Sequence, residues 1–191
     1  MESPLDKCPD LSQEQGPRPG VSAYMEDMVK EIELTQGKRT QVDDADFEWL
    51  SQWKWCVAWN GWHWYAVRSI PCDSNSKQRR VWMHRLITNA QPGEQVDHQD
   101  RDGLNNQREN LRPCTQTQNN ANRAKKAGCS SKFKGVYWSK RVGKWRSRIK
   151  IDGRQTDLGY FDDEVRAARA YDDASLEQYG EFAKLNVIEE A

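Results

Sequence analysis

Residues 133–150 read FKGVYWSKRVGKWRSRIK, and this stretch decides the fold of the C-terminal part of the chain. Apolar and basic side chains alternate along 133–138 and again along 144–150, with Gly143 beside the turn between them. Because successive side chains of a strand point to opposite faces, this period of two predicts two antiparallel strands. One face of their sheet is apolar, and the other consists almost wholly of Lys and Arg.

A third strand and a helix are predicted after these two strands. The third strand is expected near residues 155–158, behind the Asp152-Gly153 turn. Asp162 resembles the N-cap of a helix that Gly180 ends. The apolar positions of this helix recur at i, i+3, i+4 and i+7, and they are Ala167, Ala170, Tyr171 and Ala174. The expected fold class of residues 131–187 is therefore α+β, with a three-stranded antiparallel sheet packed on one helix.

Five short motifs in this segment carry a resemblance to a known family. They are Phe133-Lys134-Gly135-Val136, Lys144-Trp145, Leu158-Gly159-Tyr160-Phe161, Ala167-Ala168-Arg169-Ala170-Tyr171-Asp172 and Leu185-Asn186. Across nearly all of residues 131–187 the chain resembles the DNA-binding domain of plant ethylene-response factors. The resemblance implies that the sheet lies in the major groove of double-stranded DNA. It also implies that Arg and Trp side chains of the sheet touch bases and phosphates.

The candidate DNA-binding residues follow from this resemblance and from a basic run before the domain. In the strands they are Lys134, Tyr137, Lys144, Trp145, Arg146, Arg148 and Lys150, and in the basic run they are Arg123, Lys125 and Lys126. Two positions depart from the family. Tyr137 stands where plant members usually carry Arg, and Asp157 stands where they often carry Trp, so the plant target sequence does not transfer. The alternative is a basic sheet that is simply solvated on its outer face.

A second informative stretch is Val96-Asp97-His98, which is followed by Glu109-Asn110-Leu111 and Gln118-Asn119-Asn120. Metal-assisted cleavage of a phosphodiester needs a hard oxygen ligand for a divalent cation and a general base near the attacking water. On a strand, the adjacent Asp97 and His98 point to opposite sides. A helix from about Thr117 could bring the Asn119 carboxamide oxygen toward Asp97. The spacing predicts a strand, loop, strand and helix around one Mg²⁺ or Mn²⁺ ion. A lone Asp-His pair is more often a surface pair, but the whole spaced set favours a nuclease.

The stretch from Met83 to Asn122 resembles the HNH endonuclease family, in the Asp-His, Asn, Asn form of phage homing endonucleases. The motifs are Met83-His84-Arg85-Leu86-Ile87, Val96-Asp97-His98, Gly103-Leu104-Asn105-Asn106, Glu109-Asn110-Leu111-Arg112 and Thr117-Gln118-Asn119-Asn120-Ala121-Asn122. The resemblance implies a ββα-metal nuclease module in which His98 is the general base and Asp97 and Asn119 are the metal ligands. Asn110 resembles the asparagine that fixes the loop holding the histidine strand.

At two positions where HNH family members carry histidine, the sequence leaves alternatives open. Asn119 stands where many family members have His, although its oxygen still suits magnesium. His84 matches a histidine common in the family, which implies a phosphate contact or support of the active-site strand. A purely structural hydrogen bond of His84 is an equal alternative.

Tryptophan side chains are concentrated before the nuclease motif. Residues 47–65 contain Trp49, Trp53, Trp55, Trp59, Trp62, Trp64 and Tyr65. Asn60-Gly61 lies between the aromatic runs and favours a two-residue hairpin turn. The indoles are expected to form the small core of the nuclease module, with base stacking by one exposed Trp as the alternative. The predicted organisation is a flexible acidic arm over 1–40 with a short helix near 24–34, an HNH module over 41–127, and the DNA-binding domain over 131–187.

Charge is distributed unevenly although the formal net charge is +0. Residues 1–50 carry 12 acidic and 5 basic side chains, residues 121–160 carry 2 and 12, and residues 161–191 carry 9 and 3. A basic centre between acidic segments is typical of nucleic-acid-binding proteins, although a charge run is often only a solvated surface. A mean hydropathy of −1.03 argues against a membrane span.

The cysteines and the N-terminus indicate a reducing compartment. The five cysteines show no Cys-x-x-Cys pair, so structural zinc is not expected. The N-terminal residues have neither a basic stretch nor an apolar run of a signal peptide. We therefore expect a cytoplasmic location, in a bacterial or phage-infected cell.

Together the two resemblances predict a metal-dependent DNA endonuclease of the homing type, with double-stranded DNA as its partner and neither a membrane nor a small-molecule substrate. The alternative is a DNA-binding regulator whose nuclease module has decayed. An RNA-binding accessory protein is the least favoured hypothesis, because the narrow major groove of A-form RNA does not admit a sheet. The sequence leaves open the target site, nicking versus double-strand cleavage, and the oligomeric state.

Overall fold

The computed structural model describes residues 29–72, 77–125, 128–151 and 153–188, in an α+β arrangement with antiparallel sheets and few helices. The chain divides after Pro113 into two compact units. This division lies nearer the N-terminus than the predicted boundary between residues 127 and 131, where the small residues Gly128-Cys129-Ser130-Ser131 suggest a joint between domains. The functional boundaries at 127 and 131 stay a prediction.

The first unit begins with a β-hairpin where the sequence indicates an arm. Strand β1 (Val29–Glu33) pairs with β2 (Arg39–Asp43), from Val29 opposite Asp43 to Glu33 opposite Arg39. Ile32 and Leu34 are buried in the core of the unit, so the prediction of a flexible arm is wrong for residues 29–40, and the predicted helix is wrong for 29–34. The apolar side chains are sparse but alternate, which favours a strand over a helix. The rest of the arm lies outside the described residues.

A three-stranded antiparallel sheet follows in the order β3-β4-β5. Its strands are β3 (Cys56–Trp59), β4 (Trp64–Cys72) and β5 (Lys77–Trp82). The predicted hairpin is confirmed, but its loop has four residues, 60–63, because Trp59 pairs with Trp64. The Asn60 side-chain oxygen accepts hydrogen bonds from the backbone N–H groups of Trp62 and His63, both at 2.9 Å. Strand β4 ends at Cys72 and β5 begins at Lys77.

The remaining elements of the first unit position the Asp97-His98 pair. They are helix α1 (Asp44–Leu50), helix α2 (Met83–Ile87), strand β6 (Gln95–His98) and strand β7 (Leu111–Cys114), the last two forming a two-stranded sheet. Their core includes Val42, Leu50, Trp55 and Met83, all fully buried. Trp55 donates from Nε1 to the Leu50 carbonyl at 2.9 Å. This confirms a core role for part of the Trp cluster.

The second unit contains helix α3 and the predicted sheet with its helix. Helix α3 (Gln116–Asn122) starts with a capping box, in which Thr115 and Gln118 exchange side-chain to backbone hydrogen bonds. Strands β8 (Val136–Ser139), β9 (Lys144–Ile151) and β10 (Arg154–Phe161) form an antiparallel sheet in the order β10-β9-β8. Helix α4 (Glu164–Tyr179) packs on this sheet and ends at Gly180, as predicted.

Helix α4 buries a stripe of mostly small residues, but two of the four predicted positions, Ala170 and Ala174, are only partly buried. Ala167, Ala168, Tyr171 and Ser175 are the buried positions of the helix. The N-cap is Asp163, whose side chain accepts from the backbone N–H of Arg166 at 2.8 Å, and Asp162 lies one residue earlier. After the helix, Asn186 bonds the Asp172 carboxylate and the backbone of Lys134, which fixes the C-terminal segment against the start of the sheet.

In the part of the chain that the structure describes, no helix combines the length and the apolarity needed to cross a lipid bilayer.

Candidate functional site

The outward face of the sheet in the second unit presents one row of side chains across all three strands. Tyr137 on β8 lies opposite Arg146 on β9, which lies opposite Tyr160 on β10. Directly opposed side chains share a face of the sheet. The Arg146 guanidinium carbon lies 5.3 Å from the Tyr160 ring centre and 5.9 Å from that of Tyr137. The row therefore holds the Arg146 cation between two aromatic rings.

The next row pairs a second arginine with a carboxylate. Arg148 lies opposite Asp157, just before the irregular register between Asp157 and Gly159. Asp157 accepts two hydrogen bonds from Arg146, one from Nε at 2.5 Å and one from Nη2, and its Oδ1 lies 3.4 Å from Nε of Arg148. The hydrogen bond from Arg146 lowers the pKa of Asp157 and raises the pKa of Arg146. The carboxylate is thus charged at neutral pH and shared by both arginines.

The other predicted strand residues are distributed between the two faces. Lys144 forms an ion pair with Asp162 at 2.9 Å, and Lys150 is exposed. Trp145 packs against the core that α4 covers, and its ring meets that of Trp138 at 5.1 Å. This placement follows from the alternation of the strand, because Trp145 precedes the outward-facing Arg146. A DNA contact of Trp145 stays a prediction.

Two of the predicted DNA-binding lysines donate to backbone carbonyls within the second unit. Lys125 donates from Nζ to the carbonyl oxygens of Val136, at 2.8 Å, and Phe133. Burial lowers the pKa of Lys125. Lys134 donates to the carbonyl oxygen of Ala121. These ammonium groups stabilise the start of the sheet, and Arg123 is exposed. Lys126 lies outside the described residues.

In the first unit, the Asp97-His98 pair is buried on β6. The Asp97 oxygen Oδ2 accepts hydrogen bonds from Nε and Nη2 of Arg112, at 3.1 and 2.9 Å. Arg112 lies on β7, the strand beside β6, and the ion pair is almost fully buried. Such a pair is stable when both charges stay together, whereas loss of one partner leaves a buried charge. Arg112 was not among the predicted site residues, because the sequence does not show the pairing of β6 with β7.

His98 lies in a cluster of aromatic rings. Its ring centre is 5.1 Å from that of His84 on α2 and 5.7 Å from that of Tyr65. Its Nε2 lies 3.4 Å from the side-chain oxygen of the fully buried Asn106. Burial lowers the pKa of His98, although Asn106 and three nearby aspartates oppose this effect. Burial and the neighbouring His98 lower the pKa of His84 well below its usual value. Both rings are therefore neutral at pH 7.

Asn110 ties together the loop that follows His98. Its side-chain nitrogen donates to Oδ1 of Asp100 at 2.9 Å and to the carbonyl of Asn105 at 2.8 Å. Its side-chain oxygen accepts from the backbone N–H of Asp100 at 3.0 Å, and its carbonyl accepts from that of Gln99. This network is the geometry that a loop-fixing asparagine needs. Asn106 and Thr40 add a buried bond of 2.7 Å, which the sequence did not indicate.

The predicted metal ligands are not assembled into one site by the first unit. Asn119 belongs to α3 in the second unit, where its backbone N–H donates to Thr115. Asp97 already accepts from Arg112, and a guanidinium repels a divalent cation. Among the described residues, no group of three or more His, Cys, Asp or Glu side chains is placed to hold a metal ion. Within the first unit, a divalent ion that binds Asp97 would therefore have to displace Arg112.

Known proteins are similar to part of this chain. It is 42% identical over 59 residues to the "AP2-like ethylene-responsive transcription factor TOE2" of Arabidopsis thaliana, a match that covers 31% of this chain and 12% of that protein. It is 44% identical over 57 residues to "APETALA2-like protein 2" of Oryza sativa, subspecies indica and japonica, covering 30% of this chain and 13% of each relative. The chain thus spans a small part of the length of these curated relatives. No family model and no solved structure matches it.

Proposed function

We propose that this protein is a DNA-binding regulator that binds double-stranded DNA with the outward face of strands β8, β9 and β10. The observation that carries the proposal is the placement of Arg146 and Arg148 on this face, beside Tyr137 and Tyr160. The partial similarity to proteins named as a transcription factor and as APETALA2-like supports it. The matched lengths are close to that of residues 131–187.

The chemistry of these side chains suits base edges. The major groove of B-form DNA is about 12 Å wide and admits a two-stranded ribbon or a helix. An arginine forms two parallel hydrogen bonds to O6 and N7 of guanine, which gives about 1–3 kcal/mol of discrimination against another base. Arg146 and Arg148 are two residues apart on β9, so both face the same side. Lys144 and Lys150 lie near the two ends of the same strand, and we propose that they contact phosphates on either side of the groove, Lys144 in exchange for its ion pair with Asp162.

Quantitative binding by arginine variants of the full chain tests this function. Duplexes are selected from a random library with the unchanged chain, and affinities are measured by fluorescence anisotropy on a selected and a shuffled duplex. A base-contacting arginine replaced by Ala loses about 1–3 kcal/mol on the selected duplex alone. A phosphate-contacting arginine weakens both duplexes alike and lowers the salt slope by about one unit. We expect Arg146→Ala and Arg148→Ala to show one of these two patterns.

The matched control is Arg169→Ala, which removes an exposed arginine from α4. It should leave both affinities unchanged. Equal affinities of all three variants and the unchanged chain would contradict the proposed interface. Tighter binding of an RNA duplex than of the selected DNA duplex would favour the RNA-binding alternative.

A second candidate function is a homing-type DNA endonuclease that requires Mg²⁺ or Mn²⁺, because the neutral His98 lies next to Asp97 and the loop after it is fixed by Asn110. A neutral imidazole is the form that accepts a proton from water. For an ion to bind, Asp97 would have to exchange its contact with Arg112.

Incubation of the chain with supercoiled plasmid tests this function. A nuclease nicks or linearises the plasmid with Mg²⁺ and not with chelator, and His98→Ala loses roughly 100-fold in rate. A plasmid that stays intact at high protein concentration would contradict the nuclease function, and DNA binding would be the only proposed function left.

A further inference from the structure

Asp157 is an acidic side chain on an otherwise basic face. It is 45% exposed, and the side chains of Arg146 and Arg148 that it contacts are 23% and 31% exposed. The contacts join two adjacent strands, since both arginines are on β9 and the carboxylate is on β10. A ligand that approaches the two guanidinium groups from outside the sheet therefore meets this carboxylate as well.

Stability alone gives little reason for this arrangement. An exposed ion pair contributes little to folding stability, and salt reduces that contribution further. The two strands already pair along their length, from Phe161 opposite Trp145 to Arg154 opposite Ile151. The larger effect of Asp157 is on what the arginines can bind, because it occupies one edge of Arg146 with two hydrogen bonds.

The carboxylate affects phosphates and bases differently. A DNA phosphate is an anion, so it is repelled by Asp157 and has to compete with it for the same guanidinium donors. A base edge is neutral, and guanine still accepts from the free edge of an arginine. Cytosine N4 also offers a donor that a carboxylate accepts. The carboxylate therefore weakens attachment through phosphates alone more than it weakens contacts to bases.

We propose that Asp157 is a specificity-determining residue of the sheet face, which orients Arg146 and Arg148 toward base edges and opposes binding to DNA through phosphates alone. This inference rests on the proposed function. Discrimination between partners often depends on a repulsive group of this kind, since specificity is a difference between two affinities. The position is also one at which the chain departs from the plant family it resembles.

The test compares Asp157→Asn with the unchanged full chain on the selected and the shuffled duplex. The Asn side chain keeps the shape and removes the charge. We expect affinity for the shuffled duplex to rise about tenfold and its salt slope to grow by about one unit for each additional phosphate that the arginines neutralise. Affinity for the selected duplex should rise less or fall, so the ratio of the two affinities falls. Asp157→Glu keeps the charge, so it should keep most of the ratio between the affinities for the selected and the shuffled duplex. It is the variant to compare with the unchanged chain if the Asn variant folds poorly.

Asp173→Asn is the matched control, because it removes an exposed carboxylate from α4 and changes the net charge equally. An unchanged affinity ratio for Asp157→Asn, or the same change for Asp173→Asn, would overturn the role of Asp157 while leaving DNA binding intact. If the unchanged chain selects no duplex and binds none, the proposed function fails, and this inference fails with it.

Discussion

His84 and His98 form a buried pair of titratable rings whose centres lie 5.1 Å apart. Their pKa values in the folded chain are lowered from the usual 6.5, first of all by burial. The unfolded chain therefore binds protons at a higher pH than the folded chain does. Folding stability from these groups is complete above about pH 6.5 and is lost as the pH falls from there toward the folded pKa.

We expect the unfolding free energy of the first unit to decline below about pH 6.5, by up to about 1.4 kcal/mol per pH unit for each histidine. Urea denaturation at about pH 7.5 and about pH 5.5 measures this decline. Tryptophan fluorescence is a suitable signal, because seven of the nine Trp residues lie between positions 49 and 82.

His84→Gln should reduce the pH dependence of stability, whereas His63→Gln, in the hairpin loop, should retain it. The chain has three histidines, and His63 is the one outside the buried pair, so His63→Gln controls for its titration. A stability that is equal at both pH values would show that the two rings are not buried in neutral form.

Residue roles that depend on strand pairing could not be predicted from the sequence. The sequence marks Asp157 as a departure from the plant family, but its contacts arise only because β10 places it opposite Arg148. Arg112 contacts Asp97 because β6 and β7 share a sheet, although 15 residues separate the two positions. By contrast, the adjacency of Asp97 and His98 and the placement of His98 on a strand follow a local pattern, which sequence analysis recovers.

Between elements, the backbone of Gly135 lies directly against the ring of Tyr171 on α4. A Cβ at this position would lie 1.8 Å from a ring carbon of Tyr171, and the backbone φ is +77°. Tyr171 is itself buried, and burial raises its pKa to about 12. An added methyl group would therefore force either this buried ring or the backbone of Gly135 to shift.

Gly135→Ala should lower the unfolding free energy of the second unit by about 2 kcal/mol or more, since backbone strain and overpacking each cost about 1–3 kcal/mol. Hydrogen exchange of the α4 amides in the full chain measures this loss. Gly153→Ala is the control, because φ is +79° there but nothing lies within 4 Å of the added Cβ. It should cost only about 1 kcal/mol. Equal losses for the two variants would show that α4 does not pack closely at Gly135.

Elements with strong local signals were predicted well. The alternation along 133–150 predicted β8 and β9, and the i, i+3, i+4 spacing and Gly180 predicted α4. The elements that were missed depend on contacts between distant residues. Strand β1 has few apolar side chains, and it forms because β2 pairs with it and because Ile32 is buried in the core. The loop between β3 and β4 is longer than predicted, because the Asn60 side chain accepts hydrogen bonds from the backbone N–H groups of Trp62 and His63.

At the scale of the whole molecule, two compact units carry separate chemistry. The second unit has the Arg146, Arg148 and Asp157 face, and the first has the buried Asp97 and His98. The sequence predicts DNA contacts for Arg146 and Arg148 and a nuclease role for Asp97 and His98, and the partial similarity to AP2-like proteins supports DNA binding. The central claim is that the outward face of β8, β9 and β10 contacts double-stranded DNA.

Nuclear magnetic resonance of the ¹⁵N-labelled full chain tests this claim most directly. The Nε–H signals of Arg146 and Arg148 and the backbone amides of β8, β9 and β10 are followed while a selected duplex is added. We predict that both guanidinium signals shift as the two arginines contact the duplex, while the amides on the buried side of α4 stay in place. Unmoved Arg146 and Arg148 signals in a chain that binds the duplex, with shifts confined to the Trp-rich hairpin at 56–72, would contradict the claim.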